Sequence, residues 1–306
     1  MKQKPKSFLR TIWKHRWPYV FLVPNFTIFA IFLVYPIFSS LYLSFTSYAG
    51  TTAKWVGLFN YRTLFFDDER FRISVINTIY YIGVTVISGT FLSLLVALLI
   101  NKLDIRSRIG QSGQTIFKLV YYLPVMITGV STYLLWQWMY DLRFGLINWG
   151  LSLVGIEAKN WLNDMHWCLP SIIFMNFWTI GFGVIIYLAG LKGIPDRLYE
   201  AAKIDGANNW QQFRYITVPS LYPVLFFVLV ITMIGASQAF DQIYVMTAGT
   251  AGPLGRAALT MVFHLYNNAF LYFRLGYSSA IAYLLFVMLF AGILIQIRFF
   301  GRKGAV

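Results

Sequence analysis

The sequence predicts an all-α polytopic membrane protein with six transmembrane helices and both termini in the cytoplasm. Of its 306 residues, 58% are hydrophobic and only 12% are charged, which is about half the charged share of a soluble domain. Six runs without Lys, Arg, Asp or Glu exceed the roughly 20 residues that a helix needs to cross a bilayer. These runs are 17–53, 73–101, 119–140, 165–191, 215–240 and 275–297.

Lys and Arg are concentrated in the loops on one side of these spans. Seventeen of the 25 basic residues lie in the N-terminal tail, the loops after spans 2 and 4 and the C-terminal tail, and eight lie in the other loops. Because basic loops remain in the cytoplasm, the asymmetry predicts cytoplasmic termini. The net charge of +14 is then explained by topology signals and contacts with anionic membrane lipid, not by nucleic-acid binding.

The order of elements follows from the same runs. A basic cytoplasmic tail, 1–19, precedes a transmembrane domain, 20–300, and a short cytoplasmic tail, 301–306, ends the chain. The first apolar run is far longer than the ~7–15 residues of a signal-peptide core, so we expect a retained first span. The six spans are expected at 20–44, 74–100, 120–140, 168–191, 221–247 and 278–300.

Two outer segments are expected to be helical without crossing the membrane. The Trp-, Asn- and Gly-rich stretch between spans 3 and 4 suggests a short interfacial helix. Residues 257–273 have no formal charge but include His264, Asn267 and Asn268, and a seventh span here would move the basic C-terminal tail outside. The pattern predicts an amphipathic helix lying at the outer surface.

The residue inventory narrows the possible chemistry. Cys168 is the only cysteine, and the three histidines lie in three different regions, so neither a disulfide nor a metal cluster is predicted. The sequence contains no G-x-x-x-x-G-K-[ST] phosphate-binding loop. If nucleotide energy is used, we expect another chain to bind the nucleotide.

The most polar segment is "IPDRLYEAAKIDGANNWQQFRYITVPSLYP", 194–223, which the charge asymmetry places in the cytoplasm. Pro195 suits the first turn of a helix, Gly206 can end that helix in a left-handed conformation, and Asn208 can cap a second helix. This second helix is expected to stop before Pro219. Leu198, Ala201, Ala202 and Asp205 share one face of the first helix.

Two explanations of this segment differ in what it touches. An amphipathic connector resting on lipid headgroups would favour more Lys and no carboxylate pair. The adjacent alanines Ala201 and Ala202 instead allow another surface to approach the backbone closely. A protein-docking element therefore fits the pattern better.

The segment resembles the cytoplasmic signature of membrane subunits of binding-protein-dependent ABC importers, "EAA-x-x-DGA…F-x-x-I-x-x-P". Val218 stands where many members have Leu, which keeps an apolar residue. The resemblance implies a coupling helix within 194–219 that sits in a groove of a separate ATPase subunit, with Glu200 at the groove and Gly206 as the elbow. The matching positions are Glu200, Ala201, Ala202, Asp205, Gly206, Ala207, Phe213, Ile216 and Pro219.

The stretches "WVGLFNYRTLFFDDERF", "FDQIYVMTAG" and "FRLGYSSAIAY" extend the resemblance over nearly the whole chain, towards the maltose- and glycerol-phosphate-type first permease of the carbohydrate-uptake branch. The implied partners are a second related permease, two ATP-binding subunits and an extracytoplasmic solute-binding protein. ATP and Mg would bind to the ATPase subunits, and this chain would bind no cofactor and catalyse nothing. The implied location is the cytoplasmic membrane of a bacterium or archaeon.

Candidate solute-pathway residues come from two arguments. Polar residues inside spans are costly and therefore functional candidates, which points to Asp241 and Gln238, one helical turn apart on span 5. Alternatively, Asp241 lies in the headgroup zone and pairs with a loop arginine such as Arg256. The resemblance to maltose-type permeases adds Asn176 and Trp178 on span 4 and Thr232 and Gly235 on span 5.

Two rival functions stay open at this point. A permease for another solute, such as glycerol phosphate, would have the same architecture. An ion-coupled secondary carrier would instead place Asp, Glu or His in several spans, and spans 2, 3 and 6 contain none. The sequence therefore predicts the transmembrane subunit of an ATP-driven importer that forms half of a pathway for a sugar or oligosaccharide.

Overall fold

The computed structural model describes residues 16–50, 52–106, 119–121, 123–127 and 129–301. Most of the predicted N-terminal tail, nearly all of the C-terminal tail and part of the basic loop after span 2 lie outside these residues. The described residues begin with α1 (Arg16–Phe29), a π-helical turn (Ala30–Val34) and α2 (Tyr35–Ser44). A short hairpin that the sequence did not predict follows, with β1 (Thr46–Tyr48) paired antiparallel to β2 (Ala53–Trp55).

The remaining helices are α3 (Phe59–Phe66), α4 (Glu69–Arg106), α5 (Leu119–Met126), α6 (Val130–Met139), α7 (Leu146–Ser152), α8 (Cys168–Met175), α9 (Gly181–Lys192), α10 (Asp196–Ile204), α11 (Asn209–Gln212), α12 (Val218–Ser237), α13 (Asp241–Met246), α14 (Met261–Tyr266) and α15 (Leu275–Gln296). The helix α7 lies in the loop where a short helix was predicted.

The membrane-length helices of the described residues number four, or six if bent pairs are counted as spans. The continuous ones are Val20–Ser44, Glu69–Lys102, Asn209–Ser237 and Leu275–Phe300. The bent pairs are Leu119–Met126 with Val130–Met139, at 109°, and Cys168–Thr179 with Gly181–Lys192, at 44°. Six spans were predicted, and the described residues give four continuous helices and two bent pairs; the bends were not predicted.

Three apolar clusters hold the helices together. One joins the first half of α4 to α6, α8, α12 and α13 through buried side chains such as Tyr81, Trp136 and Ile243. A second joins the other half of α4 to α9 and α12 and includes Ile100 and Leu188. The third joins α3 and the start of α4 to α14 and α15.

Glycines bring α9 close to its neighbours. A Cβ on Gly190 would lie 2.9 Å from a methyl of Val224, and one on Gly183 would lie 2.9 Å from Ser93 Oγ. Both distances are shorter than van der Waals contact, so neither position has room for a side chain unless its neighbour moves. Small residues are a common means of close helix packing in membranes.

The polar segment folds largely as predicted up to Asn208. Pro195 precedes α10 with an extended backbone, Gly206 has a φ of +79°, and Asn208 forms a capping box with Gln211. The expected stop before Pro219 is wrong. The chain passes from α11 through a π-helical turn (Phe213–Thr217) directly into α12. Proline has no N–H to donate, and a π turn before it loosens the hydrogen-bond ladder enough to admit the ring.

The helix predicted for span 5 ends earlier than expected. Gln238 is the C-terminal cap of α12, with φ −95° and ψ 16°, and a new helix, α13, begins at Asp241. Gln238 and Asp241 are therefore not one turn apart on a single helix, as the sequence suggested.

Residues 257–273 do not form one helix lying on the surface. Residues 257–260 are non-helical and buried, and α14 continues as a π-helical turn (Asn267–Leu271). Met261, Phe263 and His264 are buried against the rest of the fold, because α14 packs between α4 and α15. Only the far end of this segment, 270–273, is exposed.

Candidate functional site

An open cavity of about 220 Å³ lies between α4, the bend that separates α8 from α9, and α12. Three predicted pathway residues, Asn176, Thr232 and Gly235, line it. The complete lining is Tyr81, Thr85, Gly89, Ser93, Asn176, Phe177, Thr179, Ile180, Phe182, Gly183, Val228, Ile231, Thr232, Gly235, Ala236 and Gln242.

Tyr81 is the polar centre of this cavity. Its side chain is 1% exposed, and its hydroxyl oxygen accepts hydrogen bonds from Asn176 Nδ2 at 2.7 Å and Gln242 Nε2 at 3.0 Å. These bonds join α4, the bend of the broken helix and α13. Buried polar groups need such partners, since an unmet one costs about 1–3 kcal/mol.

The bend gives the cavity its polar wall. Asn176–Thr179 forms a 3₁₀ turn, in which Thr179 Oγ1 donates to the Asn176 carbonyl oxygen at 3.0 Å. Gly181 begins α9 directly after the bend, where a Cβ would collide with the Tyr121 carbonyl oxygen. The turn therefore brings the Asn176 amide to the cavity while Gly181 lets the helix pass close to α5.

The other three predicted pathway residues do not line the cavity. Trp178 is half-exposed and packs edge-on against Trp136, with ring centroids 5.9 Å apart. Gln238 is exposed at the end of α12. Asp241 is exposed at the start of α13, beside Gln242, and none of the described ion pairs joins it to Arg256.

Two aromatic residues near Asp241 in the sequence, Phe240 and Tyr244, pack on one another and on their neighbours. The Phe240 ring centroid lies 5.3 Å from that of Tyr244 and 4.6 Å from that of Tyr266. Among the cavity residues, Phe177 and Phe182 present aromatic side chains instead. Sequence reasoning missed Tyr81 and Gln242, although Gln242 directly follows the highlighted Asp241.

A second cavity, of about 480 Å³, adjoins the loop before α4, α14 and the start of α15. Asp68 is one of the charged residues that line it. Its Oδ2 accepts from His264 Nε2 at 3.0 Å and from the Tyr277 hydroxyl at 2.6 Å, and its Oδ1 accepts from the Phe71 N–H at 2.9 Å. Burial raises the pKa of the Asp68 carboxyl, but these hydrogen bonds and the charge of His264 outweigh burial and hold the pKa well below its ordinary value.

We call α10, α11 and the turn between them the connector. One side of the connector packs against the helix bundle, and the other side is exposed. Tyr199 hydroxyl and Thr217 Oγ1 lie 2.9 Å apart in a hydrogen bond, and Gln212 Nε2 donates to the Ala207 carbonyl oxygen. Tyr199 and Ile216 pack on the cluster formed by α4, α9 and α12. These contacts tie the connector to the base of α12.

The nine positions that match the ABC-importer signature all lie on the connector or where it enters α12. Ala202, Ala207, Phe213 and Ile216 are half-buried, towards the bundle. The remaining five are exposed and can contact a partner. The apolar Ile204 is also exposed, at 86%. These five are Glu200, Ala201, Asp205, Gly206 and Pro219.

Comparison with known proteins gives a family match over residues 89–301, to the binding-protein-dependent transport system inner membrane component. The chain is 37% identical over 273 residues to the probable ABC transporter permease protein YesP of Bacillus subtilis, covering 88% of this chain and 85% of the relative. It is 31% identical over 290 residues to the arabinooligosaccharides transport system permease protein AraP of the same organism, covering 94% and 90%.

A solved structure has the same fold. This is a crystal structure of a bacterial alginate ABC transporter in complex with an alginate pentasaccharide-bound periplasmic protein, matched with a TM-score of 0.84 at 24% identity. The match covers 98% of this chain and 99% of the matched chain. The family match contains the connector, α12 and most of the cavity lining, with Tyr81 and Thr85 lying before its first residue.

Proposed function

Because the chain belongs to the family of inner membrane components of binding-protein-dependent transport systems, we propose that it is the permease subunit of an ATP-driven sugar importer. It forms half of the pathway for a sugar or oligosaccharide that an extracytoplasmic binding protein delivers. Relatives named for oligosaccharide transport, such as AraP, support the sugar assignment over glycerol phosphate. The chain is a transport subunit and not an enzyme.

One observation carries this proposal: the cavity between the membrane-length helices is lined by amides, hydroxyls and aromatic rings. Sugar hydroxyls exchange hydrogen bonds with amide and hydroxyl groups, and the apolar faces of sugar rings pack on aromatic side chains. Tyr81, Asn176 and Gln242 supply the polar groups, and Phe177 and Phe182 supply the rings. This composition fits a site for a sugar.

The connector supports a mechanism for coupling to ATP. ATP binding would close two separate ATPase subunits, which hold the nucleotide and Mg. Their movement would displace α10 through its open side, where Glu200 and Asp205 are exposed. The Tyr199–Thr217 hydrogen bond would pass that displacement to the base of α12, whose Thr232 and Gly235 line the cavity.

The topology that fits this mechanism has six spans, counting each bent pair once. Both termini and the connector would face the cytoplasm, as the distribution of Lys and Arg indicates. The hairpin, α7 and the loop that carries Asp68 would then face outward, towards the binding protein. The complete assembly has a second permease, two ATPase subunits and the binding protein, in the cytoplasmic membrane of a bacterium or archaeon.

An ion-coupled carrier is not favoured. It would need ionisable groups within the spans, and the described lining of the cavity consists of uncharged side chains.

The composition of the purified assembly tests the proposal. The chain would be tagged at its C-terminus, co-expressed with its neighbouring genes and extracted gently in detergent, and co-purifying chains would be identified by mass spectrometry. We expect an ATP-binding subunit, a second permease and a solute-binding protein. Recovery of the chain alone, or only with itself, would contradict the importer assignment and favour an autonomous carrier.

A further inference from the structure

We infer that the cavity takes an uncharged saccharide and rejects saccharides that carry carboxylate, sulfonate or phosphate groups. The inference rests on the proposed function and adds the charge class of the solute. It comes from the side chains around the cavity, from the way their hydrogen bonds are already used and from the carboxylate that precedes one lining residue in the sequence.

The described lining offers an anion no cationic partner. Its members are Tyr, Thr, Ser, Asn, Gln, Gly and apolar residues, with no Lys, Arg or His among the part of the lining that the structure describes. Anionic groups away from bulk water need paired charges or several strong donors, because an unpaired charge in such a site is expensive. An anionic solute would meet this unfavourable free energy each time it passed through the cavity.

Several donors of the cavity are already engaged. Ser93 Oγ donates to the Gly89 carbonyl oxygen at 2.7 Å, and Thr179 Oγ1 donates to the Asn176 carbonyl oxygen. Asn176 and Gln242 each direct an N–H to the Tyr81 hydroxyl. These protons are therefore unavailable to a carboxylate or phosphate oxygen unless an existing bond breaks.

The acceptors of the same two amides are open. No hydrogen bond among the described residues uses Asn176 Oδ1 or Gln242 Oε1. In the structure the Nδ2 of Asn176 and the Nε2 of Gln242 face the Tyr81 hydroxyl, which leaves the two carbonyl ends to accept protons. Hydroxyl groups of a neutral sugar can donate to these oxygens, whereas an ionised carboxylate has no proton to give.

One carboxylate is adjacent in sequence to a residue of the cavity lining. Asp241 directly precedes the lining residue Gln242 and is exposed. Its negative charge disfavours the approach of an anion and is compatible with a neutral solute. The matched alginate transporter handles an acidic polysaccharide, so the shared fold alone does not determine the charge class.

The first experiment compares two radiolabelled pools of short oligosaccharides in cells that hold the complete assembly. One pool is made from starch, arabinan and galactan, and the other from alginate and polygalacturonate. Uptake is measured with the full chain present and with its gene deleted. We expect chain-dependent uptake of the neutral pool only.

A second measurement tests the sign of charge inside the cavity itself. A Cβ on Gly235 would meet no atom within 4 Å, so Gly235→Lys and Gly235→Glu can be compared, with Gly235→Gln as the uncharged control of similar size. For a neutral solute both charged variants should lower uptake to a similar degree. For an anionic solute, uptake by the Glu variant should be about tenfold or more below that of the Lys variant.

The outcomes separate this inference from the function on which it rests. Chain-dependent uptake of the uronate pool, or a loss confined to the Glu variant, would overturn the neutral-solute inference and leave the importer assignment standing. Uptake of neither pool by an assembly that contains its ATPase and binding protein would overturn the sugar-importer proposal, and this inference with it.

Discussion

At the scale of single residues, the cavity depends on one hydroxyl that two amides share. Sequence resemblance pointed to Asn176, and the structure adds Tyr81 and Gln242 as its partners. Tyr81 could not be chosen from sequence, because adjacent Tyr80 has the same chemistry. Only the packing of α4 decides which of the two rings is buried: Tyr81 is 1% exposed and Tyr80 is 46% exposed.

Replacing Tyr81 with phenylalanine tests this arrangement. The change keeps the ring and removes the shared acceptor, leaving the Asn176 and Gln242 amides with unmet donors at a cost of about 1–3 kcal/mol. We expect the substrate concentration for half-maximal uptake to change while the assembly still purifies with its ATPase. Tyr80→Phe is the matched control and should transport normally. Equal kinetics for the two variants would show that the hydroxyl has no part in transport.

Asp68 gives a pH dependence with a defined sign. Its pKa in the folded protein lies below the ordinary value of 3.8, so its charged form contributes stability above that pH. This contribution is lost as the pH falls further, towards the depressed pKa. We expect acid to lower the melting temperature of the purified chain more steeply than that of Asp68→Asn.

The neighbouring Asp67→Asn is the control for this measurement, since Asp67 is exposed. Its acid profile should follow that of the unaltered chain. A profile of Asp68→Asn that also follows the unaltered chain would show that the His264–Asp68–Tyr277 bonds add nothing to stability.

At the scale of elements, sequence patterns predicted where helices lie better than where they break. The limits of α10 follow from Pro195 and Gly206, which act through local backbone geometry. The break after Ser237 has no proline or glycine at 238–240 to signal it, and it arises where α13 turns to pack on α6 and α8. The continuation through Pro219 was missed because a widened turn can absorb a proline that would otherwise end a helix.

The connector can be tested as an element. Gly206 has a φ of +79°, which proline cannot adopt because its ring holds φ near −65°. We therefore expect Gly206→Pro to distort the turn between α10 and α11 and abolish uptake, and Glu200→Lys to do the same by reversing an exposed charge. Both proteins should still insert into the membrane.

Two controls accompany the connector variants. Gly206→Asn should retain much of the activity, since asparagine tolerates a positive φ better than other residues. Glu157→Lys makes the same charge reversal in the loop between α7 and α8 and should transport normally. Full uptake by Gly206→Pro and Glu200→Lys would remove the connector from the coupling mechanism.

At the scale of the whole molecule, the composition of the apolar runs predicted a bundle of membrane-length helices, and the basic loops predicted its orientation. The bend of 44° between α8 and α9 was not predicted, because it lies among contacts between segments that are distant in sequence: Gly181 lies against the Tyr121 carbonyl oxygen and Gly183 against Ser93. That bend places Asn176 beside Tyr81, so the site is a product of tertiary structure.

The orientation of the whole chain can be measured with a membrane-impermeant maleimide. The only cysteine, Cys168, is 0% exposed, so the unaltered chain should give almost no labelling. Ile204→Cys places a thiol on the open side of the connector, where the native side chain is 86% exposed, and Val154→Cys places one in the loop after α7, where it is 71% exposed.

If the connector is cytoplasmic, reagent added to intact cells whose outer barriers have been removed will label Val154→Cys at once. Ile204→Cys will then react only after the membrane is permeabilised. The reverse pattern would place the connector outside, beyond the reach of any ATPase, and labelling of both thiols in intact cells would mean that the two segments lie on the same outer side.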